Sequence, residues 1–322
     1  MEWLQNSTTQ SVEFGPILAL TGTSSALSVL GSVGIFVSFY KDPEKCFTFR
    51  LLFYLSCADA VNAFGNFIGV IRNLAITEHY SPCDSDDVCI GQSFMTTSAS
   101  LASFWWTFLA ALNHFLYKRS SGSFHLETRR NQIISHFAGW GFPLLIATIA
   151  LSLGVLGEDY SASSGPWCWI KDCDTIPLSP IFWMFLAGKF WEILAYIGTF
   201  AIYMLLKAER WNSLRMNNRL LPLSSGRQSY EAIPPPGCSR NENSSIDDRF
   251  GLLWIFLYLY VTRVWGTIRF FIFVGHNGSP YLPTVNKVDK VLLYFQSVGD
   301  SAQGFVNFAG LILLPYILRK SN

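Results

Sequence analysis

Seven stretches of this chain are each long enough and apolar enough to cross a bilayer: 17–40, 49–75, 89–118, 131–156, 180–206, 250–275 and 287–315. A helix needs about 20 mainly apolar residues to span roughly 30 Å of hydrocarbon. A water-soluble helical protein would show amphipathic stripes instead of segments apolar on every face. The expected fold is therefore all-α, a polytopic membrane protein built as one seven-transmembrane-helix bundle.

The basic residues sort to one side of these segments. With the N-terminus outside, the inner ends and loops hold Lys41, Lys45, Arg50, Lys118, Arg119, Arg129, Arg130, Lys207, Arg210, Arg215, Arg219, Arg227, Arg240, Arg249, Arg319 and Lys320. The opposite side holds only Arg72, Lys171, Lys287 and Lys290. This is a positive-inside asymmetry. Residues 1–16 contain no Lys or Arg, so they lack the basic start of a cleavable signal peptide. They are expected as a short extracellular N-terminus, with the first segment retained as an anchor. Helices one to five occupy 17–206, a third cytoplasmic loop 207–249, helices six and seven 250–315, and a short tail 316–322. The net charge of +1 carries no nucleic-acid signal.

Cys83, Cys89, Cys168 and Cys173 all fall at or beyond the outer ends of helices, where an oxidising compartment permits disulfides. Three pairings are open. We favour Cys89–Cys168, which would pin a long loop over the mouth of the bundle, with Cys83–Cys173 as a candidate second bridge. Asn6-Ser7-Thr8 is a glycosylation sequon on the outer side, and Asn277-Gly278-Ser279 is a second, weakened by Pro280. The 207–249 stretch, with Pro234-Pro235-Pro236 and scattered serines, cannot bury a core and reads as disordered. Its first third, Lys207 to Arg219, keeps a basic helical pattern that extends helix five.

Ionisable groups at bilayer depth are costly and face the bundle interior. Here they are Asp59, Lys189, Glu192, Arg263, Arg269 and Asp300. At a rise of about 1.5 Å per residue, Glu192 and Arg263 both lie roughly 18 Å below the outer end, which predicts a core ion pair between them. Lys189 and Arg269 lie shallower and suggest a site for an anionic or carbonyl-bearing ligand, framed by Trp183, Trp105 and Trp106. The alternative is that Lys189 pairs with Glu192 at i,i+3 while Arg269 snorkels or binds loop carbonyls. Asp59, Asn62, Asn66, Asp300, Gln303 and Asn307 form a second cluster on helices two and seven. It reads either as a cation or shared-proton site or as a hydrogen-bonded network.

No lysine sits midway along helix seven, which argues against a retinal Schiff base of the usual placement. The histidines are dispersed and show no metal spacing. No phosphate-cradling loop or Ser/His/Asp set stands out. We expect no catalytic residues, metal or cofactor, and so no enzyme.

Gly139-Trp140-Gly141-Phe142-Pro143 in helix four resembles the GWGxP signature shared by secretin, adhesion and cyclic-AMP-receptor-like G-protein-coupled receptors. Trp167-Cys168-Trp169-Ile170 is similar to their second-loop cysteine motif, and Gln303-Gly304 with Asn307 to their helix-seven pattern. The strings Gly188-Lys189-Phe190-Trp191-Glu192-Ile193-Leu194-Ala195-Tyr196 and Arg263-Val264-Trp265-Gly266-Thr267-Ile268-Arg269-Phe270 most resemble those of an orphan member of this group. The Asp-Arg-Tyr and Asn-Pro-x-x-Tyr motifs of rhodopsin-like receptors are absent. The resemblance implies a multi-pass plasma-membrane receptor that passes the signal of an unknown extracellular ligand to a heterotrimeric G protein, among membrane lipid. Arg119, Arg129 and Arg130 are then the G-protein-facing residues, against the alternative of plain positive-inside anchors. Two further readings stay open: a seven-helix transporter or channel using the midplane charges, and a membrane scaffold that does not signal.

Overall fold

The computed structural model describes residues 2–41, 47–75, 85–119, 128–158, 167–171, 173, 176–220, 244–276, 283–314 and 317. They build seven long helical rods and one small hairpin. Helix α1 is Glu2–Lys41, α2 is Phe47–Ala75 and α3 is Asp87–Arg119. Helix α4 runs as Arg129–His136, a π-helical turn Phe137–Gly141, and Phe142–Ser152. Helix α5 runs as Pro180–Met184, a second π turn Phe185–Lys189, and Phe190–Leu220. Helix α6 is Ser244–Gly275, and α7 is Pro283–Phe308 with a closing π turn Ala309–Leu313.

The surface of this bundle is inverted relative to a water-soluble protein. On α1 the inward face is Ser24, Ser25, Ser28 and Ser32, while Leu27, Leu30, Val33 and Val37 point outward. Small inward residues let backbones approach where no hydrophobic force drives helices together. Ser24 Oγ donates to the Val298 carbonyl at 2.7 Å, and the Gly304 amide donates to Ser28 Oγ at 3.0 Å, stitching α1 to α7. Between α6 and α7 a side chain at Gly299 would collide with the Thr262 carbonyl oxygen, so the two backbones touch there. Gly15–Lys41, Arg50–Ala75, Arg129–Ser152, Pro180–Glu209 and Leu257–Gly275 are long and apolar enough to span a membrane on length and composition. Helices α3 and α7 fall short of that mark because their inward faces carry the polar residues of the site.

The helix ends depart from the hydropathy reading in several places. Helix α1 begins at Glu2, inside the stretch expected to precede the first helix, and α6 begins at Ser244, inside the expected third loop. The basic extension of α5 is present and runs to Leu220. Helix α4 stops at Ser152, four residues before its expected end. There Gly154, at φ 68°, closes a Schellman motif: Val155 N donates to the Ala150 carbonyl and Gly154 N to that of Leu151, each at 3.0 Å. The chain then forms strand β1 (Leu156–Gly157), antiparallel to β2 (Trp169–Ile170). Cys83, Asn277 and residues 221–243 and 318–322 lie outside the described residues, as do the side chains of 2–14, Asn6 among them.

The GWGFP segment shows its physical logic directly. A side chain at Gly139 would strike the Trp106 indole, so the glycine is what lets α4 lie against α3. Trp106 is fully buried there, with Tyr54 (ring centroids 4.8 Å apart), His136 (5.4 Å) and Trp140 (5.8 Å) around it. Pro143, lacking an N–H, cannot close the turn before it. The π turn at Phe137–Gly141 absorbs that defect.

Candidate ligand cavity and polar spine

At one end of the bundle, β2 is held over the helices by the Cys89–Cys168 disulfide, the bridge favoured from sequence. Cys173 is also disulfide-bonded, while Cys83, its expected partner, lies outside the described residues. The loop is fastened further by the Cys168 amide donating to Gln92 Oε1 at 3.1 Å and by the Ser93 hydroxyl donating to the Trp169 carbonyl. Arg72 of α2 ion-pairs with Asp86 at 2.7 Å and Glu158 at 3.0 Å beside the disulfide.

Beneath this cover is a cavity of about 80 Å³. Its roof is Trp167, Cys168 and Trp169, its wall Phe104, Ala187 and Gly188, and its polar lining Asn62, Asn66, Thr96, Thr97, Ser100 and Gln296. Four ionisable groups complete it: Lys189 and Glu192 of α5, Arg263 of α6 and Asp300 of α7. The second π turn ends at Lys189 and so sets the direction of that side chain. Gly188, within the turn, makes room for the Trp169 ring, which a side chain there would meet at 2.8 Å.

The predicted Glu192–Arg263 pair gives way to two different pairs. Lys189 Nζ reaches Glu192 Oε2 at 2.8 Å along one helix turn, the i,i+3 alternative. Glu192 also accepts from the Tyr196 hydroxyl at 2.7 Å and the Thr267 hydroxyl at 2.5 Å. Its oxygens are thereby satisfied, and Arg263 turns toward α7. There it meets Asp300 at 3.9 Å and donates from Nε to Gln303 Oε1 at 3.4 Å, while among the described residues its Nη2 has no hydrogen-bond partner.

Of the expected ligand-site residues, Lys189 lines the cavity and the other four stand elsewhere. Arg269, only 1 % exposed, forms a two-pronged pair with Asp289 (2.9 and 3.0 Å) and donates to Gln296 at 2.6 Å. Trp183 is a core residue whose indole donates to the Pro177 carbonyl at 2.6 Å. Trp105 packs against Phe142 and Trp191 between α3, α4 and α5, and Trp106 packs at Gly139. The aromatic frame is instead Trp167, Trp169 and Phe104. The two tryptophans were already marked in sequence by the cysteine motif that they flank.

The helix two and seven cluster assembles as a network of direct bonds. Asp59 Oδ1 accepts from Ser103 at 2.8 Å and Oδ2 from Asn307 Nδ2 at 2.9 Å. Gln303 Nε2 donates to Ser103 at 3.0 Å. Asn62 accepts from Ser100 and donates to the Asp300 carbonyl, each at 2.9 Å, and Asn66 donates to Ser301 at 2.9 Å. Gln296 Nε2 donates to Asp300 Oδ2 at 2.9 Å. A continuous polar spine therefore runs from Asp289 and Arg269 through Gln296, Asp300, Arg263, Gln303 and Ser103 to Asp59 and Asn307. It links α6, α7, α3 and α2. Arg119, Arg129 and Arg130 stand exposed at the opposite end of the bundle from the disulfide.

A seven-helix membrane bundle with a disulfide between α3 and the loop after α4 is the architecture of a G-protein-coupled receptor. The chain belongs to the family of G-protein-coupled receptor 157, the receptor to which the α5 and α6 strings pointed. It is 32% identical to the mouse (Mus musculus) protein of that name over 301 residues, covering 92% of this chain and 81% of that protein. Identity to the human protein is 31%, over 92% of this chain and 80% of that one. A more distant similarity, 26% over 154 residues, joins it to cyclic AMP receptor-like protein A of Dictyostelium discoideum, covering 48% of this chain and 36% of that protein. No family model matches the chain.

Proposed function

We propose that this chain sits in the plasma membrane with its N-terminus outside and couples a ligand in the cavity to a heterotrimeric G protein at the opposite end. The observation that carries this reading is the cavity itself, buried under a disulfide-pinned loop and lined by ionisable groups from α5, α6 and α7. A ligand that binds one arrangement of these three helices more tightly shifts the population toward it. Arg263 and Asp300 are joined at 3.9 Å, longer than a hydrogen bond. A ligand that engages either one changes the contact between α6 and α7. The polar spine gives that change a route toward Asp59 and Asn307, and the exposed Arg119, Arg129 and Arg130 offer the G-protein contact. Gly266 works as a close-packing point in this scheme: a side chain there would meet Gln296 at 2.9 Å and Lys189 at 3.3 Å. Asn6 is the proposed glycosylation site.

The test is dissociation of a panel of labelled G-protein heterotrimers in cells expressing the chain without added ligand. The control is a variant with Arg119, Arg129 and Arg130 changed to Ala at matched surface level. Signal from one subtype, lost in the variant, is the expected result. Equal signals from both proteins across the panel would count against coupling at this face.

A further inference from the structure

The cavity carries equal numbers of cations and anions, and one of each is poorly served. Glu192 is fully engaged by Lys189, Tyr196 and Thr267. Arg263 is different. It is 6 % exposed, its contact with Asp300 is 3.9 Å, its guanidinium lies 5.5 Å from the Phe104 ring centroid, and among the described residues its Nη2 has no hydrogen-bond partner. Leaving a donor on a buried charged group unbonded costs on the order of 1–3 kcal/mol. Thr97 Oγ1, another lining group, is also buried without a hydrogen-bond partner among the described residues. Asp300, also lining the cavity, takes one firm hydrogen bond on Oδ2, from Gln296, while among the described residues Oδ1 has the long Arg263 contact.

Two lining groups that offer unmatched donors, Arg263 Nη2 and Thr97 Oγ1, call for an anionic acceptor such as a carboxylate. A lone anion, however, would leave a net negative charge in a buried site that is otherwise balanced, and an uncompensated buried charge is strongly unfavourable. A positive group on the same molecule removes that cost by pairing with Asp300 Oδ1. The size agrees. A cavity of about 80 Å³ holds on the order of five waters, enough for a small polar molecule and too little for a large apolar one.

We infer that the cavity binds a small amphoteric ligand of the amino-acid class, its carboxylate on Arg263 and Thr97 and its ammonium on Asp300. This rests on the proposed reading of the cavity as the receptor's ligand site. The ligand inserts between Arg263 and Asp300, replacing their long contact with two close ones, and so acts on the α6–α7 junction.

The experiment is the melting temperature of the purified full chain in detergent against three sets of probes. These are the twenty proteinogenic amino acids with short ω-amino acids, the matching carboxylates without an amine, and the matching amines without a carboxylate. The expected result is saturable stabilisation by one or a few amphoteric probes and none by their singly charged partners. Arg263→Gln should weaken that binding about tenfold to a hundredfold, as expected when a charged hydrogen bond is lost. Thr97→Val should weaken it less. Since Arg263→Gln also risks misfolding, the wild-type probe comparison stands as a test by itself. Equal stabilisation by a plain carboxylate or amine overturns the amphoteric class and leaves the cavity as a ligand site. No stabilisation by any amphoteric probe overturns the inference outright. Amphoteric binding undiminished in both variants places the ligand elsewhere and overturns it too. Amphoteric binding together with a silent heterotrimer panel would keep the inference and remove the coupling reading.

Discussion

Helix α6 carries two buried arginines six residues apart that the structure treats in opposite ways. Arg269 is saturated: both prongs of its guanidinium meet Asp289, and Gln296 takes a third bond. Arg263 is held loosely, at 3.9 Å from its carboxylate and 3.4 Å from an amide oxygen. A saturated ion pair fixes how two helices sit, whereas an unsaturated one leaves a charge available to something else. By this comparison Arg269 is a rivet between α6 and α7, and Arg263 is the residue proposed to answer a ligand. Depth read from the sequence assigns Arg263 to a core pair with Glu192 and Arg269 to the ligand site.

The largest effect that could break this comparison lies at Arg269. Arg269→Met leaves Asp289 as a buried, unpaired carboxylate, and we expect a loss of about 3–5 kcal/mol. Thermal unfolding of the purified protein checks it, with poor surface delivery as the cellular counterpart. A variant that folds normally and loses only ligand response would restore Arg269 as a ligand contact. Gly299→Ala should come close behind. Its new carbon would collide with the Thr262 carbonyl oxygen, so α6 and α7 must separate, at about 1–3 kcal/mol. Unfolding of this variant beside Arg269→Met would show whether both act at the same junction.

Arg263→Gln should be milder in stability, about 1–3 kcal/mol, because Asp300 loses a 3.9 Å contact but keeps its Gln296 hydrogen bond and the nearby charge of Lys189. Its larger effect is expected in heterotrimer dissociation at matched surface level. Equal melting losses at Arg263 and Arg269 would erase the distinction between rivet and sensor.

What the sequence made legible divides along physical lines. Five of the seven helices come straight from hydropathy, which registers length and transfer energy directly, while α3 and α7 are long enough but carry polar inward faces that lower theirs. The Cys89–Cys168 bridge comes from compartment and position. The helix two and seven cluster was also legible, since Asp59, Asn62, Asp300, Gln303 and Asn307 are too polar to face lipid. Azimuth was not legible. A rise of about 1.5 Å per residue gives depth, but each residue added to a turn rotates the rest of the helix by about 100°. The π turns at Phe137–Gly141 and Phe185–Lys189 add such residues without any hydropathy signal. Trp105 and Trp106 stand at a useful depth on the wrong side of α3, while Trp167 and Trp169 reach the cavity from the loop. Local geometry also beat depth matching at Glu192, whose partner one turn away needs no second helix to be placed correctly.

The smallest expected effect sits at the entrance to α5 and sharpens the contrast between rigid and responsive parts. Leu178 is 64 % exposed and holds φ at 67°, a left-handed conformation that disfavours a branched side chain. Its neighbours on both sides impose that conformation. Ser179 caps the helix by accepting from the Phe182 amide at 3.3 Å, and Pro180 occupies its first turn. Trp183 draws the same turn inward by donating to the Pro177 carbonyl, so the chain is fixed before and after Leu178. Leu178→Gly should relieve the strain and stabilise the protein by about 1 kcal/mol, offset in part by the greater freedom of glycine in the unfolded chain. A small rise in melting temperature with unchanged heterotrimer signal is the expected pair of results. A drop in signal instead would mean that the strain at this turn holds Lys189 in place, since the π turn that orients it begins only one short helix away.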